Sequence, residues 1–237
     1  MATTSARQGR IRKALQEMRH HGGLRTLHDL AIKALNTIVV AKILRGVAVE
    51  RPDAGFLACP VGYSPLFLTD DAVRAFAKNP EYELSERFVE EALSRGDRCF
   101  AICDGTVLAA YGWYSSAPTR IDPPDLQLRF SDKYVYMYKG FTHPRHRGKR
   151  LHAMGMTIAL QHFLSMGFRG LVSYVESNNF DSLKSVFRMG YFHFGSVYVV
   201  KVAGRCLSHS SRGCDRFGFR VEPANIAPAG ARVRLAI

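Results

Sequence analysis

The sequence predicts an α/β domain built on a single sheet of mixed direction, flanked by helices and preceded by a basic helical extension. Three observations carry this. Apolar strand-like runs come first as a hairpin. Later they alternate with helical patterns as β–α–β–α–β, the order that needs crossover connections. Between these halves, "YVYMYKGFTHPRHRGKRLHAMGM" (134–156) turns an aromatic strand into a helix through eight residues, seven of which are His, Arg, Lys or Gly. A helix N-terminus already attracts anions, so cations massed there point to a phosphate-bearing ligand.

The elements follow in order. A basic helical pattern over residues 8–21 ends at "HHGG". A second helix has Leu24, Leu27, Ala31, Leu35 and Ile38 at about the helical period, with Arg25, Lys33 and Lys42 on its other side. "FLACPVGYSPLFL" (56–68) reads as extended. Thr69 and Asp70 cap a short helix through Lys78, and Ser85 caps "ERFVEEALSRG". "RCFAIC" and "TVLAAYGWY" are strands around an Asp104-Gly105 turn. A polar, Pro-rich loop (115–124) precedes the fourth strand, Tyr134–Thr142. A helix (149–166), the strand "GLVSYVES", a helix (180–189) and the strand "YFHFGSVYVVKV" complete the domain. The chain thus divides into a basic helical extension (1–46), an α/β domain (47–204) and a basic, loosely ordered tail (205–237) rich in Arg, Gly, Pro and Ala.

Composition narrows the function. The net charge is +13 over 237 residues. Residues 1–45 carry nine Lys/Arg against Glu17 and Asp29, and residues 205–237 carry six Arg against Asp215 and Glu222, leaving +2 for the middle. Basicity is a property of the ends. It fits docking of residues 1–45 on anionic lipid at the membrane inner face, or on an acidic partner. The ends lack the interleaved aromatics of a single-stranded nucleic-acid surface, which argues against that partner. No apolar run approaches the roughly 18 residues of a membrane span. The five scattered cysteines fit a reducing cytoplasm, and Cys206, His209 and Cys214 lack a fourth ligand for zinc, so no metal is expected.

The element order, with two motifs, resembles the GNAT superfamily of acyl-CoA-dependent N-acyltransferases over about residues 56–202. In the family a Gln/Arg-x-x-Gly-x-Gly/Ala segment opens the helix after the fourth strand, and its backbone N–H groups hold the coenzyme A pyrophosphate. Arg147 fits the first position, whereas Arg150 and His152 stand where Gly and Gly/Ala are usual. The second motif, an Asn after the fifth strand with a small residue three later and Gly-aromatic eleven and twelve later, is met by Asn179, Ser182, Gly190 and Tyr191.

The resemblance implies acetyl-CoA or a longer acyl-CoA as co-substrate and a small amine as acceptor. It places the donor on Phe141, Thr142, Arg147, Gly148, Lys149, Arg150, Leu151, His152, Asn179 and Ser182. The Tyr that protonates the leaving thiolate in many members, seven residues after the Asn, is Val186 here. Ser182 and Ser185, or Tyr136 and Tyr138 from across the cleft, are the expected substitutes. Glu176, the one carboxylate at the end of the fifth strand, is the expected base. Two other readings stand beside this one: a long-chain donor carried by acyl carrier protein, and a non-catalytic GNAT-like binding module.

Overall fold

The computed structural model describes residues 40–121, 126–202 and 205–224, together with His28 and Ile32. The strands are β1 (Val40–Val49), β2 (Tyr63–Phe67), β3 (Arg98–Asp104), β4 (Val107–Ser115), β5 (Thr119–Ile121), β6 (Leu126–Arg129), β7 (Tyr134–Thr142), β8 (Gly170–Glu176), β9 (Phe192–Val202), β10 (Arg205–Ser210) and β11 (Arg220–Pro223). The helices are α1 (Asp70–Ala77), α2 (Glu86–Ser94), α3 (Leu151–Ser165) and α4 (Phe180–Arg188). Eight strands form one sheet in the order β10-β9-β1-β8-β7-β4-β3-β2. Its β7–β8 pair is parallel and its other pairs are antiparallel.

Local chemistry explains the helices. Thr69 Oγ1 accepts from Ala72 N–H and Ser85 Oγ from Phe88 N–H, so both expected caps form. Asn179 Oδ1 accepts from Ser182 N–H at the start of α4, and Gly190 (φ 86°) follows its end in the left-handed conformation that stops a helix. The second sequence motif is therefore also a start and stop signal for α4. Between β3 and β4 the two-residue loop is Gly105-Thr106, one residue later than expected, with Gly105 at φ 56°.

α3 lies on one face of the large sheet, where Ala153, Met156, Ala159, Leu160 and Phe163 pack on Val47, Val49, Val135, Met137 and Leu171. The opposite face buries Leu44, Ala48, Tyr136, Val172, Val197 and Val199 under a second, three-stranded sheet in the order β11-β6-β5. α1 and α2 close a further core against β3 and β4 around Trp113, which is fully buried.

Four expectations change. β1 begins at Val40, inside the proposed 1–46 extension, and runs between β8 and β9. In the sequence Leu35 and Ile38 continue a helical spacing, which hid the β-branched character of the residues around Val40, where the strand begins. The helices read over residues 8–21 and 24–38 lie outside the described residues, apart from His28 and Ile32. The loop at 115–124 contains β5, whose hairpin with β6 makes the sheet count two. Residues 205–224 of the tail are folded onto the domain: β10 extends the large sheet, and Cys214, Phe217 and Phe219 fill the core beneath it.

Candidate active site

The site begins where two strands part. β7 and β8 are paired at Tyr134, Val135 and Tyr136, opposite Gly170, Leu171 and Val172. Beyond that the register ends, and Ser173 Oγ–H donates to the Met137 carbonyl at 2.8 Å across the widening gap. The facing stretches of β7 and β8 are no longer paired with each other. A cavity of about 720 Å³ occupies the opening.

A bulge shapes its rim. Tyr111 pairs with Phe141 and Trp113 with Tyr138, so Gly112 alone faces both Lys139 and Gly140. Lys139 takes φ 46°, unusual for a residue with a side chain. Bulges interrupt the ladder and re-aim neighbouring groups, and they recur beside active sites. Nothing in the alternation of "YVYMYKGFT" announced this one except the glycine at 140.

One wall of the cavity is aromatic. Tyr136 and Tyr138 stack with centroids 5.4 Å apart and planes within 9°, and Tyr136 stacks on Tyr174 at 6.2 Å. The Tyr138 hydroxyl donates to Asp97 Oδ2 at 2.5 Å, and the Arg95 guanidinium donates to the same carboxylate at 2.7 Å. Burial and the Asp97 charge push the Tyr138 phenol well above its ordinary range. Burial and Tyr174 do the same to Tyr136. Both tyrosines line the cleft, as expected, but neither is poised to release a proton. The role they gain is that of a rigid wall.

The other candidates divide. Phe141, Thr142, His152, Glu176, Asn179, Ser182 and Ser185 all line the cavity, as does Val186. Glu176 is held by Lys42 Nζ at 2.9 Å, so an ammonium already occupies the expected base. Arg150, His152, Ser185 and Arg188 meet in an adjoining pocket of about 630 Å³ with Phe56, Ala153 and Met189. Four expected donor-binding residues line neither space. Arg147 Nε donates to the Thr142 carbonyl, Lys149 Nζ to the Tyr63 hydroxyl, Leu151 is buried against Ile102, Ala109 and Ala110, and Gly148 (φ 81°) shapes the turn. Arg188, Tyr174, Arg120, Lys139 and Gly140 belong to the site and escaped notice in the sequence. Arg188 was legible in principle, because nine residues separate it from Asn179 and the last turn of α4 returns toward α3.

The helix start departs from the family pattern with a visible cost. Arg150 is the residue before α3, at φ 59° and without a side-chain cap. The family's usual Gly adopts this conformation freely, whereas an L-side chain does so under strain. His152 follows as the second residue of α3 and lines the cleft. Its half-buried ring rests on Gly140, so that a Cβ there would lie 3.0 and 3.1 Å from Nε2 and Nδ1. Burial pushes the imidazole below its usual value, leaving it neutral at pH 7.

No family model matches the chain, and no curated protein matches it. It is similar to several solved structures. A GCN5-related N-acetyltransferase from Kribbella flavida shares 16% identity over 74% of this chain and 64% of its own, with a TM-score of 0.46. An acetyltransferase from the GNAT family of Colwellia psychrerythraea gives 15%, 73%, 62% and 0.46 in the same terms. A GCN5-related N-acetyltransferase-like protein from Streptococcus suis gives 12%, 74%, 67% and 0.48. This chain spans about two thirds or less of each. The sheet order, the parting of β7 from β8 and the helix that starts beside the gap give the chain a GNAT-like fold.

Proposed function

We propose that the protein transfers an acyl group from an acyl-CoA to an amine. The parted β7 and β8 carry this reading, because two strands that separate after Tyr136 and Val172 leave an opening between their backbones that suits a pantetheine arm. At the end of that gap the start of α3 meets Arg150 and Arg188 in a pocket sized for phosphates. Helix-start amides and two guanidiniums are a chemically fitting cradle for a pyrophosphate. The arm would run past His152 into the tyrosine-walled cavity, with the thioester beside the β7 bulge. Acceptors of the small amine class would enter from the side of Tyr138, Tyr174 and Arg120. Whether the arm arrives on CoA or on acyl carrier protein, its chemistry in the gap is the same; the phosphate pocket favours CoA.

Calorimetry with acetyl-CoA and with longer acyl-CoA tests this. Micromolar binding is expected, weakened at least tenfold by Arg150→Glu with Arg188→Glu, a loss of about 1.4 kcal/mol or more. A folded protein that binds none of these thioesters overturns the reading.

A further inference from the structure

Deprotonating an ammonium needs an unprotonated group that is close to the thioester and not already committed. Glu176 is paired with Lys42, the Tyr138 hydroxyl is given to Asp97, and Tyr136 is buried and tied to Tyr174. His152 differs from all three. It lines both the tyrosine-walled cavity and the phosphate pocket, so it lies at their junction. Its ring rests on Gly140 within the β7 bulge, a close approach which a Cβ would forbid. Among the described residues no side chain hydrogen-bonds its ring nitrogens.

Resting on the acyltransferase reading, we infer that His152 is the catalytic base that takes the proton of the acceptor ammonium. One N–H of the ammonium gives its proton to a ring nitrogen. The freed lone pair attacks the thioester carbonyl carbon, a C–N bond forms and the C–S bond breaks. The departing thiolate takes the proton back from the imidazolium, and the second ammonium proton leaves to water. A single imidazole thus serves as base and then as acid, which accounts for a site with Val186 where the family has its proton-donating Tyr. Burial favours the neutral ring in the resting state, so the base stays available somewhat below pH 6.5, the ordinary histidine value. The charged groups that line its two spaces are Arg150 on its own helix start, Lys139 from β7, Arg188 from α4 and Glu176 from β8, the last paired with Lys42.

The test compares two acceptors with acetyl-CoA as donor: a panel of aliphatic, aromatic and amino-sugar primary amines, which are ammonium ions at pH 7, and hydroxylamine, which is neutral there. His152→Gln is expected to lower kcat on the primary amines by about 10²–10⁴. Its loss on hydroxylamine should be at least tenfold smaller. Acetyl-CoA affinity by calorimetry should stay within threefold. The wild-type profile of kcat/KM against pH should fall on the acid side with a histidine-like pKa below 6.5, and the variant should lack that limb. Equal losses on both acceptors, or an acid limb retained in the variant, overturn the assignment while leaving the acyltransferase reading intact. A wild type that binds no acetyl-CoA removes that reading itself, and one that binds it but acylates no amine counts against both.

Discussion

On the proposed reading, Arg150 trades backbone comfort for ligand binding. It stands at φ 59° where glycine would be unstrained, and its guanidinium shares a pocket with Arg188. A left-handed L-residue costs about 1–2 kcal/mol, while glycine loses somewhat more chain entropy on folding. Arg150→Gly is therefore expected to melt at the same temperature or a few degrees higher, yet to bind acetyl-CoA at least fivefold more weakly. Thermal denaturation and calorimetry on the same sample separate the two effects; a destabilised variant with unchanged affinity would place the arginine in the fold and not in the site. The departure from the family's Gly at 150 was visible in the sequence, but its geometry was not. The same holds for His152, because the resemblance marks its position for backbone contact and says nothing of a ring lying on Gly140, twelve residues earlier.

At the level of elements, β7 is anchored from both sides before it opens. Ser173 holds it to β8 at Met137, and Asp97, in the turn after α2, holds Tyr138. The Asp97 side chain is 1% exposed and the Arg95 side chain 25%. Asp97→Ala leaves a guanidinium and a phenol without their acceptor, at a cost of about 2–3 kcal/mol once the exposure of Arg95 is allowed for. The melting temperature should fall by roughly 4–12 °C. Asp97→Asn, which still accepts from Tyr138, should lose less. Identical melting of wild type and Asp97→Ala would deny the tie between α2 and β7. Elements with strong local signals were legible in the sequence: the caps at Thr69 and Ser85, the Gly105 turn, and the alternation of Tyr134, Tyr136 and Tyr138. β5, β6, β10 and β11 were not. They are three to six residues long, and two of them, β6 and β11, find each other from far away in sequence, pairing through Leu128 and Val221. Short strands defined by distant partners leave little periodicity to read.

For the whole molecule, the least legible feature is that the sheet is completed by its N-terminal side. β1 separates β8 from β9 and feeds both faces of the core: Leu44 and Ala48 into one cluster, Val47 and Val49 into the other. Leu44, Val47, Ala48 and Val49 are each no more than 2% exposed. Fully burying one large aliphatic side chain contributes about 1.5–3 kcal/mol. Three of them together with a paired strand approach the roughly 5–15 kcal/mol by which a domain is stable. A truncation meant to test docking by the basic N-terminus must therefore stop at residue 39, since one ending at 45 removes half of β1. Among the described residues, deleting residues 1–39 removes the His28–Ser177 side-chain contact and leaves every strand. That variant is expected to unfold cooperatively on heating and to keep acetyl-CoA binding. Deleting residues 1–49 is expected to yield a chain with no cooperative melt, because β8 and β9 lose their common partner. A 1–49 deletion that melts cooperatively and binds acetyl-CoA would show that β1 is an addition to the sheet and not part of its foundation.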